Sequence, residues 1–157
     1  MRILVAIGAT VVLAGTVLAQ QAAAPDMTKG TYVSAADVAA AVAKLGKNPL
    51  EAAPILKMGP YTVNIEHRLA APAQQAAVHD KDAELFYITD GSATLVTGGK
   101  LVEGVRTGDN LRGKAIDGGT AQKMSKGDFM MVPPGVPHWF TNIQGAITEM
   151  SIHLPVK

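Results

Sequence analysis

The chain contains no cysteine among its 157 residues. That absence excludes disulfides, thiolate ligands, a cysteine nucleophile and a thioether-linked lipid. The fold must therefore rest on core packing, and any metal site must use histidine, carboxylate, methionine or water. An excess of charge of either sign is also missing. Lys and Arg total 14 against 13 Asp and Glu, and no basic run stands out, which makes nucleic acid and anionic membrane poor partners. No G-x-S-x-G elbow and no phosphate-binding loop occur. The longest apolar run, from Ile3 to Leu18, is short for a membrane span, is diluted by Gly8, Thr10, Gly15 and Thr16, and has no basic stop-transfer cluster behind it.

That run follows Arg2 and ends in Val17-Leu18-Ala19, the layout of a secretory signal peptide. Cleavage is expected after Ala19, with Ala24 as the alternative, releasing a product without a stable membrane anchor into the periplasm or the medium. Loss of Arg2 would leave 13 basic residues against 13 acidic ones. The expected organisation is a signal peptide over 1–19, a linker over 20–33, an N-terminal helix and connector over 34–60, and one barrel domain over 61–157. The helix is read in "SAADVAAAVAKLG", where Ser34 and Asp37 form a capping box and Gly46 stops the run.

From Tyr61 onward the hydrophobic period becomes two. In "YTVNIEHRL", Tyr61, Val63, Ile65, His67 and Leu69 share one face, which the apolar majority directs inward. Further strands are expected at 76–80, 84–89, 93–97, 120–124, 129–132, 138–141 and 146–154. Asp90-Gly91, Gly98-Gly99, Gly118-Gly119 and Lys126-Gly127 supply turns between them. Many short strands and one helix mean a sandwich, jelly roll or barrel. The stretch 98–119 is read as a long solvated loop; the alternative is a lid carrying Arg106, Asp109, Arg112 and Lys114.

Two gapped motifs carry the chemistry. "GDFMMVPPGVPHWFTN" fits G(X)5PXG(X)2H(X)3N from Gly127 through Pro133, Gly135 and His138 to Asn142. Upstream, "VHDKDAELFYITDG" sets His79 five residues before Glu84, with Gly91 beyond. Pro133, Pro134 and Pro137 fix backbone angles and Gly135 permits a turn, so His138 is aimed with little entropy left to lose. In this order the motifs resemble those of the cupin superfamily. The resemblance implies an all-β fold, a cupin-type jelly-roll β-barrel with an N-terminal helix here. It also implies one divalent metal ion, iron, manganese, zinc or nickel, held by His79, Glu84 and His138. The first histidine of the family pattern is replaced by Ala77.

His67 is a candidate substitute ligand, because its phase on the expected inner face leaves an imidazole among aliphatic groups that needs a partner. Tyr61, on the same face, is a candidate catalytic hydroxyl. Ile65, Phe86 and Phe140 are expected to line the pocket, with Trp139 pointing away. His153 is expected to face outward, since Met150, Ile152 and Leu154 make the opposite face of the last strand look like core. Five of the seven methionines, those outside the leader and linker, raise a copper reading, but adjacent Met130 and Met131 must take opposite faces, and core filling is the expectation.

The expected function is a mononuclear metalloenzyme of dioxygenase, isomerase or lyase type acting on a small oxygen-rich molecule. A non-catalytic barrel binding a sugar-like ligand and a structural envelope protein are the alternatives. The resemblance further implies a homodimer.

Overall fold

Residues 27–156 are described by a computed structural model. The leader and its cleavage sites lie outside the described residues. Ser34 caps helix α1 (Ala35–Val42): its hydroxyl accepts from the Asp37 amide at 3.1 Å, and the Asp37 carboxylate accepts from the Ser34 amide at 3.3 Å. Among the described residues no helix is long and apolar enough to cross a membrane.

The connector expected before Tyr61 contains a strand, β1 (Leu50–Met58), which pairs antiparallel with β2 (Tyr61–Leu69). α1 packs against these two strands. Ten more strands follow: β3 (Ala76–His79), β4 (Asp82–Thr97), β5 (Lys100–Val102), β6 (Val105–Thr107), β7 (Asn110–Gly113), β8 (Ala115–Asp117), β9 (Thr120–Ser125), β10 (Phe129–Val132), β11 (His138–Thr141) and β12 (Ala146–Pro155). The main sheet runs β1-β2-β12-β4-β11-β3-β7-β6, with β9 and β10 each pairing with β4. All pairings are antiparallel, and the sheet curls into a half-barrel of cupin type.

β4 produces the curl. Two strands with a turn at Asp90-Gly91 were expected; instead one 16-residue strand runs through. Its first half pairs with β12 and β10, and its second half pairs with β9 and β11. Gly91 sits at the bend with φ +78°, and a Cβ there would stand 2.2 Å from the Ala146 carbonyl oxygen. A register shift between Thr148 and Glu149 on β12 accommodates the same bend. A positive-φ glycine beside a bulge redirects a strand without reversing it.

The expected loop over 98–119 is also sheet. β5 pairs with β8, while β6 and β7 extend the edge beyond β3. This places Asn110 and Arg112 beside the chemistry. The hydrophobic core comprises Phe86, Ile88, Ala93, Leu95, Met124, Val132, Phe140, Ile143 and Ile147. A fully buried Phe, Leu or Ile in such a core contributes about 1.5–3 kcal/mol. Met124 is core filler, and Met131 lies 52 % exposed.

The phase of two strands corrects the sequence reading. On β2 the face of Tyr61, Val63, Ile65 and His67 is the outer one, and Glu66 and Arg68 point into the cavity. Tyr61 is 48 % exposed, and Ile65, although buried, does not line the cavity. On the neighbouring β12 the polar set Glu149, Ser151 and His153 turns inward, leaving Met150, Ile152 and Leu154 outside and part-buried. Alternation separates two faces but does not say which meets the lumen; here the lumen is the polar side.

Candidate metal centre

The Pro-rich turn before His138 is anchored at both ends. Gly135, at φ +75°, donates its amide to the His79 carbonyl at 2.8 Å, and the Pro137 carbonyl accepts from the Gly98 amide at 2.8 Å. The turn thus ties the start of β11 to the end of β3, where the ladder pairs His138 with Ala77. β12 lies on the other side of β4 and sets His153 opposite Glu84. Three strands therefore direct imidazoles at one carboxylate on a fourth.

The distances are short. Glu84 Oε2 stands 3.3 Å from His79 Nε2 and 3.1 Å from His138 Nε2. Glu84 Oε1 stands 3.5 Å from His153 Nε2 and accepts from Ser151 Oγ at 2.6 Å. Ligand atoms of His79, Glu84 and His153 all lie within 4.8 Å of one another, a group that could hold a metal ion. His79 Nδ1 meets Asn110 Oδ1 at 2.6 Å. With that oxygen accepting, the proton sits on Nδ1 and Nε2 presents its lone pair to the centre, the tautomer a metal ligand needs.

The donor set fits a cation on one further observation. Glu84 Oε2 is fully buried and has no aligned hydrogen-bond donor, although two imidazole nitrogens lie within 3.3 Å of it. A buried carboxylate oxygen flanked by two imidazole nitrogens without an aligned hydrogen bond can instead share a cation with them. Three histidines and one carboxylate suit iron(II), manganese, zinc or nickel. Burial opposes ionisation of Glu84, but the imidazoles of His138 and His79 beside it and the Ser151 hydroxyl hold its carboxyl well below the usual range. Burial likewise opposes a charge on His79, yet the Glu84 carboxylate 3.3 Å away raises it above the ordinary imidazole value.

Beside the centre lies a cavity of about 610 Å³, lined among others by Glu66, Arg68, Gln74, Arg112, Trp139 and Phe140. Arg68 donates Nε to Glu149 Oε1 at 2.5 Å and Nη2 to Glu66 Oε2, and its guanidinium carbon lies 4.7 Å over the Phe140 ring. Burial disfavours the Arg68 charge, but Glu149 and Glu66 more than restore it. Burial pushes Glu149 up to about 7 against the pull of Arg68, and the charges of Glu66 and Glu84 add to the rise.

Of the residues expected at the site, the fold brings together His79, Glu84 and His138. Phe140 lines the cavity, and Phe86 packs in the core with its ring centroid 5.6 Å from that of His138. His67 is absent from this group: on the outer face of β2, its Nδ1 meets Thr148 Oγ1 at 2.8 Å. Tyr61 and Ile65 share that face and do not line the cavity. Trp139 does not point away; it lines the cavity and donates Nε1 to the Gln74 carbonyl at 2.7 Å. The residue missed was His153, which brings a third histidine from β12 where position 77 supplies only a methyl group. Its signal was its phase with Glu149 and Ser151, two polar residues that stay fully buried.

Comparison with known proteins agrees with this architecture. Iron(II)-bound HppE superposes with a TM-score of 0.52 at 14% identity, over 68% of this chain and 52% of that one. The chain thus spans about half the length of that protein. TT1209 from Thermus thermophilus gives 0.53 at 16% identity, over 73% of this chain and 93% of that one. The cupin domain of Schizosaccharomyces pombe Cnp3 gives 0.52 at 14%, over 73% and 66%. At such identities the likeness concerns the fold. No curated protein matches the chain. The family model described as cupin covers residues 74–152, half of the 157, and with both motifs inside it and the half-barrel around them, the chain belongs to the cupin family.

Proposed function

We propose that this cupin is a secreted enzyme that holds one divalent metal ion at His79, Glu84, His138 and His153 and acts on a small oxygen-rich molecule. The observation that carries the reading is the convergence of three imidazoles on Glu84, whose Oε2 is buried without an aligned donor. When bound, the metal supplies Lewis-acid polarisation of a substrate oxygen and, if it is iron, access to dioxygen chemistry. The chain's own residues do the positioning. Asn110 orients His79 and Ser151 orients Glu84, as partners of metal ligands do. Trp139 and Phe140 wall one side of the cavity against water, and Arg112 adds positive charge near His79. The signal-like leader supports export to the periplasm or the medium. Phe129 and Met131, exposed on the outer face of the sheet, support a homodimer.

A non-catalytic barrel for a sugar-like ligand is the second reading, favoured by the polar cavity wall at Glu66 and Arg68. Metal content decides between them. Protein exported and purified without chelator is expected to carry close to one equivalent of metal, and the His79→Ala/His138→Ala variant none. A folded wild-type protein without metal, still binding ligand after chelation, overturns the enzyme reading.

A further inference from the structure

The buried triad of Glu66, Arg68 and Glu149 takes no part in the metal centre, yet two of its members face the cavity. Arg68 uses Nε on Glu149 and Nη2 on Glu66. Among the described residues, Nη1 of Arg68 and Oε1 of Glu66 make no hydrogen bond, and neither atom is fully buried. Both residues line the cavity while only 8% and 9% exposed, respectively. One donor on Arg68 and one acceptor on Glu66 are therefore left for a ligand in the cavity that both residues line. The guanidinium is held by two carboxylates and stacked on Phe140, so it is preorganised.

A hydroxyl group matches this pair, donating to Glu66 Oε1 and accepting from Arg68 Nη1. A carboxylate would meet the Glu66 charge, and an alkyl group would leave both atoms without partners. The strand ladder gives the spacing. His153 pairs with Thr62 and Glu149 with Glu66. Glu66 thus lies four residues along β2 from the level of the metal centre, about 13 Å of strand. Side-chain reach from both ends narrows that gap to the span of a short carbon chain. At the metal end, Arg112 lines the cavity beside His79 and has no carboxylate partner among the described residues. An acidic head suits that end.

We infer, building on the metal centre proposed above, that the ligand is a short polyhydroxylated acid, its acidic head at the His79–Glu84–His138–His153 cluster and its hydroxylated tail held by Glu66 and Arg68. The test compares D-gluconate with 2-hydroxyhexanoate, which share a six-carbon chain and a 2-hydroxy acid head but differ in tail hydroxyls. Dissociation constants are measured by calorimetry on the metal-loaded protein, with metal content determined on the same sample. Gluconate is expected to bind at least about tenfold tighter, the worth of a hydrogen bond to a charged group. Glu66→Gln removes the charged acceptor while Arg68 keeps its bond to Glu149, so the barrel should fold. It is expected to weaken gluconate about tenfold and to leave 2-hydroxyhexanoate unchanged. Equal affinities in the wild type, or a preference that survives Glu66→Gln, overturn the tail subsite and leave the metal centre standing. Binding of neither acid overturns the inference, and the metal content of that sample then says whether the metal reading falls with it.

Discussion

Glu149→Gln replaces a fully buried carboxylic acid with a side chain of the same shape that does not titrate. In the folded protein, burial pushes Glu149 up to about 7, beyond the opposing pull of Arg68, whereas the ordinary value is 4.5. Between those values the folded state holds a proton that the unfolded chain has released. Stability must therefore fall as pH rises through that interval, the sign expected when the native carboxyl is raised rather than depressed. A displacement from 4.5 to about 7 corresponds to about 3 kcal/mol lost by neutral pH. Glutamine removes this dependence and leaves Arg68 paired with Glu66. The assay is urea denaturation of chelator-treated protein at fixed ionic strength, from pH 5 to 8. The stability of the variant minus that of the wild type is expected to grow by about 3 kcal/mol across the range. Contributions from groups common to both proteins largely cancel. A difference flat to within about 1 kcal/mol would refute the reasoning, because Glu149 would then ionise at its ordinary value within the fold.

Other perturbations have separate readouts. Gly91→Ala puts a Cβ 2.2 Å from the Ala146 carbonyl at φ +78°. It is expected to cost about 2 kcal/mol or more in denaturant unfolding; an unchanged midpoint would show that β4 bends elsewhere. His153→Ala is expected to lower metal affinity by at least about tenfold in chelator competition, while His67→Ala leaves it unchanged. The reverse ranking would restore the sequence-based choice of ligand. Ser151→Ala removes the 2.6 Å hydrogen bond to Glu84 Oε1. It should weaken metal binding about tenfold without loss of fold, and equal affinity would make Ser151 a spectator.

The motifs were legible because their chemistry is local. Two prolines, a glycine and a third proline define the turn before His138, and that turn does bond to the His79 strand. The strand limits 129–132 and 138–141 followed from it. Other features were hidden because they depend on partners distant in sequence. The bend in β4 looked like a hairpin turn at Asp90-Gly91, since a positive-φ glycine serves either purpose until the pairing of both halves is known. The stretch 98–119 looked like loop because its short strands have no hydrophobic alternation of their own and are held by β3 and by each other.

His67 and His153 exchanged roles for a single reason. Both β2 and β12 carry one apolar and one polar face, and the rule that apolar faces turn inward assigns each strand wrongly in a barrel whose lumen is a polar site. The two strands are paired, Ile65 with Met150 and His67 with Thr148, so their outer faces lie together. The sequence by itself determined the family, the all-β class and three members of the cluster, His79, Glu84 and His138. Only the tertiary structure decided which face of β2 and β12 meets the cavity, and hence that His153 joins the centre while Glu66 and Arg68 line its wall. Spacing along one strand fixes relative phase, but the direction of that phase is set by what the strand packs against.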